Sequence, residues 1–434
     1  VTGGTTLTLD EAEARYLDLL EQLQLARWDA YANAIHHDLD ALAGSFYELA
    51  RVAATMPFES SGRAAILRRI LRRHLVDSHP KVARLSNQLS VWSNYITVPS
   101  RRSADWRSKL AAAMEPDVIH LLMLRNELSM GVGADSYPWL VAMTEGFDLD
   151  ALEQLAANLR SVGMRVGKSA LSEMTIDTWF DQLAGMTKSR GFDATVEATG
   201  LANQLGLGDL CDAITWAVKD QPIAGYDCAV SVPDDIRLLV APVVSVDGLT
   251  TVFHELGHAL AHAANRESGI FRTWNALHDE SMAVVMEYVG VAIRLGPEAR
   301  ATADLVDTLE ATRYATSFLF ELDVNQHPHR ARDLYLHWYE PIAEVDQPVV
   351  WAADSFRIED PIHIHTYLVG QLVARATIAF LTDRYGDDHN SWGEWLRINY
   401  YREGRRVSLF DKLERLEEFC PEEVMSISAA GGTL

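Results

Sequence analysis

His254, Glu255 and His258 stand in a His-Glu-x-x-His arrangement. Two histidines four apart on a helix project from one face, one turn apart, and together can grip one zinc ion. Glu255 follows the first of them, beside the coordination position the pair leaves open. There its carboxylate can take a proton from a water held by the metal. The flanks suit a buried helix: Val252, Phe253, Leu256, Ala259, Leu260 and Ala261 are apolar, and Asp247 and Thr250 offer N-capping oxygens just upstream.

A hydrolytic zinc site usually takes three protein ligands and a water, so a third donor is expected further along the chain. The stretch from Asn275 to Glu287 has apolar residues at helical spacing, with His278, Asp279 and Glu280 near its start. Glu280, Val284 and Glu287 share one helical stripe, which favours Glu280 as the ligand, with Asp279 as its rival. His262 continues the face of His254 and His258. It reads as a supporting or surface histidine, because a fourth protein ligand would close the position that water must occupy.

These segments, with Asp235-Ile236-Arg237 and the run from Val246 to Phe253, resemble the catalytic core of the angiotensin-converting-enzyme family. They are also similar to the thimet oligopeptidase and oligoendopeptidase families, zinc peptidases of the gluzincin type with a deep channel between helical halves. The resemblance extends upstream to Arg125–Tyr137 and downstream to Asp360–Leu372, spanning roughly residues 120 to 375. It implies His254, His258 and Glu280 as ligands of one zinc per chain, Glu255 as general base and a short peptide as substrate.

In those families a tyrosine, and a histidine about ten residues before it, steady the oxyanion that peptide hydrolysis builds. Tyr367 stands at the tyrosine's place, whereas the histidine's place holds Arg357, which can clamp a carboxylate but cannot hand over a proton at neutral pH. His363 lies four residues before Tyr367 and is expected on its side, while His365 is the alternative substrate contact. The relatives' carboxylate four residues after the glutamate ligand is here Val284, so some other group must orient the imidazole, with Asp279 and Glu287 as the candidates. The strand Gly225–Val232 carries no histidine to meet a substrate backbone.

The elements that position these residues are helical almost throughout. Residues 9–56 read as two amphipathic helices, and residues 62–98, 104–130, 149–170 and 174–190 continue the pattern, separated by Pro80, Pro99, Pro116 and Pro138. The clearest strands are 226–232 and 236–244, joined by Pro233-Asp234-Asp235 as a hairpin directly before the zinc helix. Arg68, Arg69, Arg72 and Arg73 pair along a helix, in salt bridges or as a rim that attracts carboxylates. Arg402, Arg405 and Arg406 flank Gly404 in a loop, with Arg405 a further candidate for substrate contact.

The chain has 434 residues, long enough for two or three domains, and a net charge of −23, which disfavours nucleic acid and anionic membranes as partners. Three widely spaced cysteines, Cys211, Cys228 and Cys420, suggest a reducing compartment. With no basic, apolar leader and no membrane-length apolar run, a cytoplasmic location is expected. The resulting expectation is a mainly α, two-lobed zincin-like fold, with residues 1–225 covering a catalytic half of residues 226–434. Its activity is expected to be zinc-dependent peptide hydrolysis, or else, as Arg357, His363 and His365 suggest, hydrolysis of a non-standard amide by a dedicated tailoring enzyme.

Overall fold

Helix α1 (Leu9–Asn33) begins with a reciprocal cap. The Thr8 hydroxyl accepts from the Glu11 N–H while the Glu11 carboxylate accepts from the Thr8 N–H, satisfying two donors that a helix start leaves open. Asp38 caps α2 (Leu39–Ala53) in the same sense, through the N–H of Ala41. The expected 62–98 segment is two helices, α3 (Gly62–Asp77) and α4 (Pro80–Ile96), because Pro80 cannot continue a helix but fits the first turn of a new one. By contrast α5 (Ala104–Gly131) runs straight through Pro116, which therefore separates nothing. Packing of α5 against α4 and the 348–353 turn overrides the lost hydrogen bond. Helices α6 (Tyr137–Glu145) and α7 (Leu149–Val166) complete the first part. This computed structural model describes residues 7–56, 62–96, 104–166, 188–219 and 225–426.

The small sheets come next. Strand β1 (Lys188–Phe192) occupies the end of the segment expected as the helix 174–190, whose residues 174–187 lie outside those described. Then follow α8 (Ala194–Gln204), β2 (Ile214–Val218), β3 (Gly225–Ser231), β4 (Asp235–Val240) and β5 (Val243–Ser245). β3 and β4 form the expected antiparallel hairpin, and β2 joins β4 on its other side in parallel, giving the order β2-β4-β3. The single strand expected over 236–244 is broken at Ala241-Pro242, since proline brings no N–H to the ladder, and β5 pairs with β1 instead.

One sheet face meets α1, with Trp28 and Ala32 against Cys228, Val230 and Leu239. The other meets α9 (Val246–Ala264). The chain continues through α10 (Ala276–Arg294), α11 (Pro297–Gln326), α12 (Ala331–Tyr339), α13 (Ser355–Glu359), α14 (His365–Tyr385) and α15 (His389–Leu396). Two short helices, α16 (Leu409–Leu413) and α17 (Glu422–Ser426), follow. The architecture is mainly α with small sheets, as the sequence indicates. Its largest apolar core centres on α9, α10 and α14 and draws on residues from both sides of position 225. Among the described residues no helix is long and apolar enough to cross a membrane.

Glycines set the closest helix contacts. A Cβ on Gly257 of α9 would stand 2.7 Å from the Ala283 Cα of α10, and one on Gly290 of α10 would strike the Phe253 ring. Gly370 of α14 opposes Val284 in the same way. Val284 is thus the packing surface between α10 and α14, which explains an apolar residue at a position where a carboxylate was sought.

Candidate metal centre

Helix α9 is capped by Ser245, whose hydroxyl accepts from the Gly248 N–H. The expected caps, Asp247 and Thr250, lie inside the helix, because β5 runs straight into it and leaves Ser245 as the last extended residue. His254 and His258 then face α10 with ring centroids 5.0 Å apart. Asn275 caps α10 through the His278 N–H and sets Glu280 one turn in.

The three sequence-predicted ligands converge. His254 Nε2 lies 3.2 Å and His258 Nε2 3.7 Å from the same Glu280 oxygen, Oε2. Two donors each about 2.1 Å from a tetrahedral zinc would lie about 3.4 Å apart, so these spacings fit the ion. Glu280 Oε2 is also a buried acceptor with no hydrogen-bond partner, as a metal-facing oxygen must be before the ion is counted. Among the described residues this is the one His/Cys/Asp/Glu group with ligand atoms close enough to share an ion.

The outward nitrogens meet carboxylates. Asp279 Oδ1 lies 3.0 Å from His258 Nδ1, and Glu287 Oε2 lies 3.6 Å from His254 Nδ1. The rival for the third ligand and the stripe's far carboxylate thus both stand behind the imidazoles. Asp279 also lies 3.4 Å from His262, which reaches Asp227 of β3 at the same distance. Burial works against a charge on His258, but Asp279 and Glu280 hold its pKa up at about 9. Imidazoles kept protonated by acids are ones whose protons a cation would displace.

Glu255 is buried, and burial pushes its pKa up to about 7, against the pull of His254 and His258. A Cβ on Gly225, the first residue of β3, would lie 2.5 Å from the Glu255 side chain. Only glycine leaves the carboxylate its place.

His363 and Tyr367 reach the centre, though not as neighbours on one helical stripe. Helix α14 starts at His365, and His363 comes from the turn before it, where Ile362 adopts a left-handed backbone (φ 72°). A β-branched residue rarely takes that conformation. It is held there by Glu321, which accepts the Ile362 N–H at 2.6 Å, and by His365, whose Nδ1 meets the Ile362 carbonyl. The turn aims His363 Nε2 at Glu280 Oε1, 3.2 Å away, with Asp360 behind its other nitrogen. Burial opposes its charge, yet Asp360 and Glu280 raise His363 to about 10. Asp360 pairs in turn with Arg73. The Tyr367 ring stacks 5.9 Å from His254 and meets His363 edge-on at 5.6 Å, and burial with Glu280 beside it keeps the phenol protonated.

Two expected substrate contacts lie elsewhere. Arg357 points into the core, donating to the Trp351 carbonyl, Ser317 Oγ and the Tyr339 hydroxyl, over the Phe320 ring. Counting ten residues back from Tyr367 assumes one continuous helix, and the 360–364 turn breaks that count. His365 is buried against Phe147 and Phe318, its Nε2 3.5 Å from Glu145. Arg405 is half-buried on the side of Tyr16, Glu145 and Arg69. Sequence reasoning missed Gly225, Glu321 and Asp360, none of which carries a local signal.

Comparison with solved structures finds the same fold over nearly the whole chain. A structure described as PZ peptidase A with inhibitor 2 matches 98% of this chain and 96% of its own at 12% identity, with a TM-score of 0.68. A chain from Bacillus anthracis assigned as an oligoendopeptidase F matches 98% and 96% at 11% identity (TM-score 0.64). A Pyrococcus furiosus carboxypeptidase matches 98% and 98% at 12% identity (TM-score 0.58). Identities this low carry the fold alone. No family model and no curated protein sequence matches the chain.

Proposed function

We propose that this chain is a zinc-dependent peptidase that hydrolyses short peptides. The observation that carries the reading is the meeting of His254, His258 and Glu280 at one point, with a buried carboxyl, Glu255, on the same helix turn. A fold shared with a PZ peptidase and a carboxypeptidase supports it. The likeness to angiotensin-converting enzyme rests on sequence motifs.

Zinc, one per chain, would supply Lewis acidity, lowering the pKa of a water and polarising the substrate carbonyl. Glu255, poised near neutrality by burial, takes the proton of that water and returns it to the leaving amine. Tyr367 donates from its phenol to the oxygen that gains charge, and His363, held cationic by Asp360 and Glu280, sets a positive charge beside it. Asp279 and Glu287 keep the two imidazoles turned so that each Nε2 faces inward. Arg357, which suggested a tailoring hydrolase for unusual amides, is occupied in the core and lends that alternative no support.

Glu255→Gln tests the proposal. The variant is expected to retain one zinc per chain while turnover of a quenched-fluorescence peptide falls about 10²- to 10⁴-fold. Unchanged turnover would remove Glu255 from the chemistry, and absence of stoichiometric zinc in the wild type would remove the mechanism.

A further inference from the structure

Beside α3 and α6 lies a hollow of about 110 Å³ lined by Arg68, Arg69, Arg72, Met143 and Thr144. The chain carries 61 acidic residues against 38 lysines and arginines, yet three arginines and no carboxylate line this hollow. Arg73, the next arginine along α3, takes the nearby carboxylates, pairing with Asp77, Glu145 and Asp360. Glu145 is further committed to the Leu277 N–H and His365. Arg68 is engaged by other contacts. Among the described residues no carboxylate lies within ion-pair reach of Arg69, Arg72 or Arg405, although Glu145 attracts Arg405 from further off and Arg69 repels it.

Like charges brought together around a hollow repel, solvent screens only part of that repulsion, and a carboxylate that joined them would relieve it, since the guanidinium fork matches it bidentately. The hollow exceeds by several times the roughly 10–15 Å³ that holds one water on the same measure, and has room for a group of carboxylate size. It also stands close to the centre. Thr144 precedes Glu145, which binds Asn275 and Leu277 at the start of α10, one turn before Glu280. Arg69 lies one turn, about 6 Å, before Arg73, the partner of Asp360 behind His363.

We propose that this hollow is a subsite for a substrate carboxylate, held by Arg69 and Arg72 with Arg405 adding its charge, a few residues from the scissile bond. The inference rests on the peptidase reading. It selects peptides bearing a carboxylate at a fixed distance from the cleaved bond, on the chain terminus or on an acidic side chain.

The test takes the zinc-loaded full chain and three peptides: one of neutral side chains with a free carboxyl terminus, its amide, and the amide with Glu in last place. At least one carboxylate-bearing peptide is expected to show a KM about 10- to 100-fold below that of the neutral amide. A low KM for the free acid alone assigns the terminus, and one for the Glu amide assigns the side chain. Arg69→Gln and, separately, the exposed Arg72→Gln are expected to bring all three within about threefold. Equal KM values for all three in the wild type, or discrimination that survives both substitutions, overturn the subsite. If no peptide is cleaved, the peptidase reading falls independently, and thermal denaturation with the same peptides then decides the subsite. A Tm rise confined to carboxylate peptides and lost in Arg69→Gln upholds it, and no rise overturns it.

Discussion

An imidazole that offers one nitrogen to a metal needs the other held, and His254 and His258 each have a carboxylate there. Replacing Asp279 by Ala removes the hold on His258 and also one of the two carboxylate partners of His262. Zinc affinity is expected to fall about 10- to 100-fold in competition with a chelator, while helix content by circular dichroism stays unchanged. The ligands themselves were readable because histidines at i and i+4 share a face on any helix. Their supports, Asp279 and Glu287, were named only as alternatives, since whether both serve, and which imidazole each holds, depends on how α10 is rotated against α9. His363 was found for an incomplete reason. Its aim depends on the left-handed Ile362, a conformation that local preferences would never assign to isoleucine.

At the scale of elements, the centre exists because α9 and α10 approach closely at Gly257. Gly257→Ala would set a Cβ 2.7 Å from Ala283 and force apart the helices that carry the imidazoles and the carboxylate. Stability is expected to drop by about 1–3 kcal/mol in urea unfolding, and zinc per chain to fall below one. The 360–364 turn has its own signature. Burial pushes Glu321 to about 7, against the pull of Arg357, so the folded chain holds a proton that the unfolded chain releases above about 4.5. The stabilisation is full below pH 4.5 and is lost as pH rises through 7, by up to about 1.4 kcal/mol per unit. Glu321→Gln should flatten that decline in denaturant titrations between pH 4.5 and 7.5. Long helices were legible from their apolar period. Strands β1 and β2 were not, because five-residue strands such as Lys188–Phe192 gain their identity from partners distant in sequence.

For the molecule as a whole, the proposed ion, held between two helices of the main core, would stabilise the folded state by mass action. With free zinc at a thousand times its Kd the gain is about 4 kcal/mol, so chelation is expected to lower Tm and zinc titration to restore it in a concentration-dependent way. The mainly helical architecture was foreseeable from pattern, whereas the union of distant segments in one core was not. Lys412 shows how far that union reaches. Fully buried in α16, it donates to the Tyr400 and Gly404 carbonyls and meets His278 Nε2 at 3.1 Å, two residues from Glu280. His278 and Lys412 are 134 positions apart. At ribosomal rates of about 5–20 residues per second, roughly 7–27 s separate their synthesis. A nascent chain thus displays both histidines and the glutamate well before the bolt on the glutamate's helix has been translated, and the three can be locked together only once synthesis has passed Lys412.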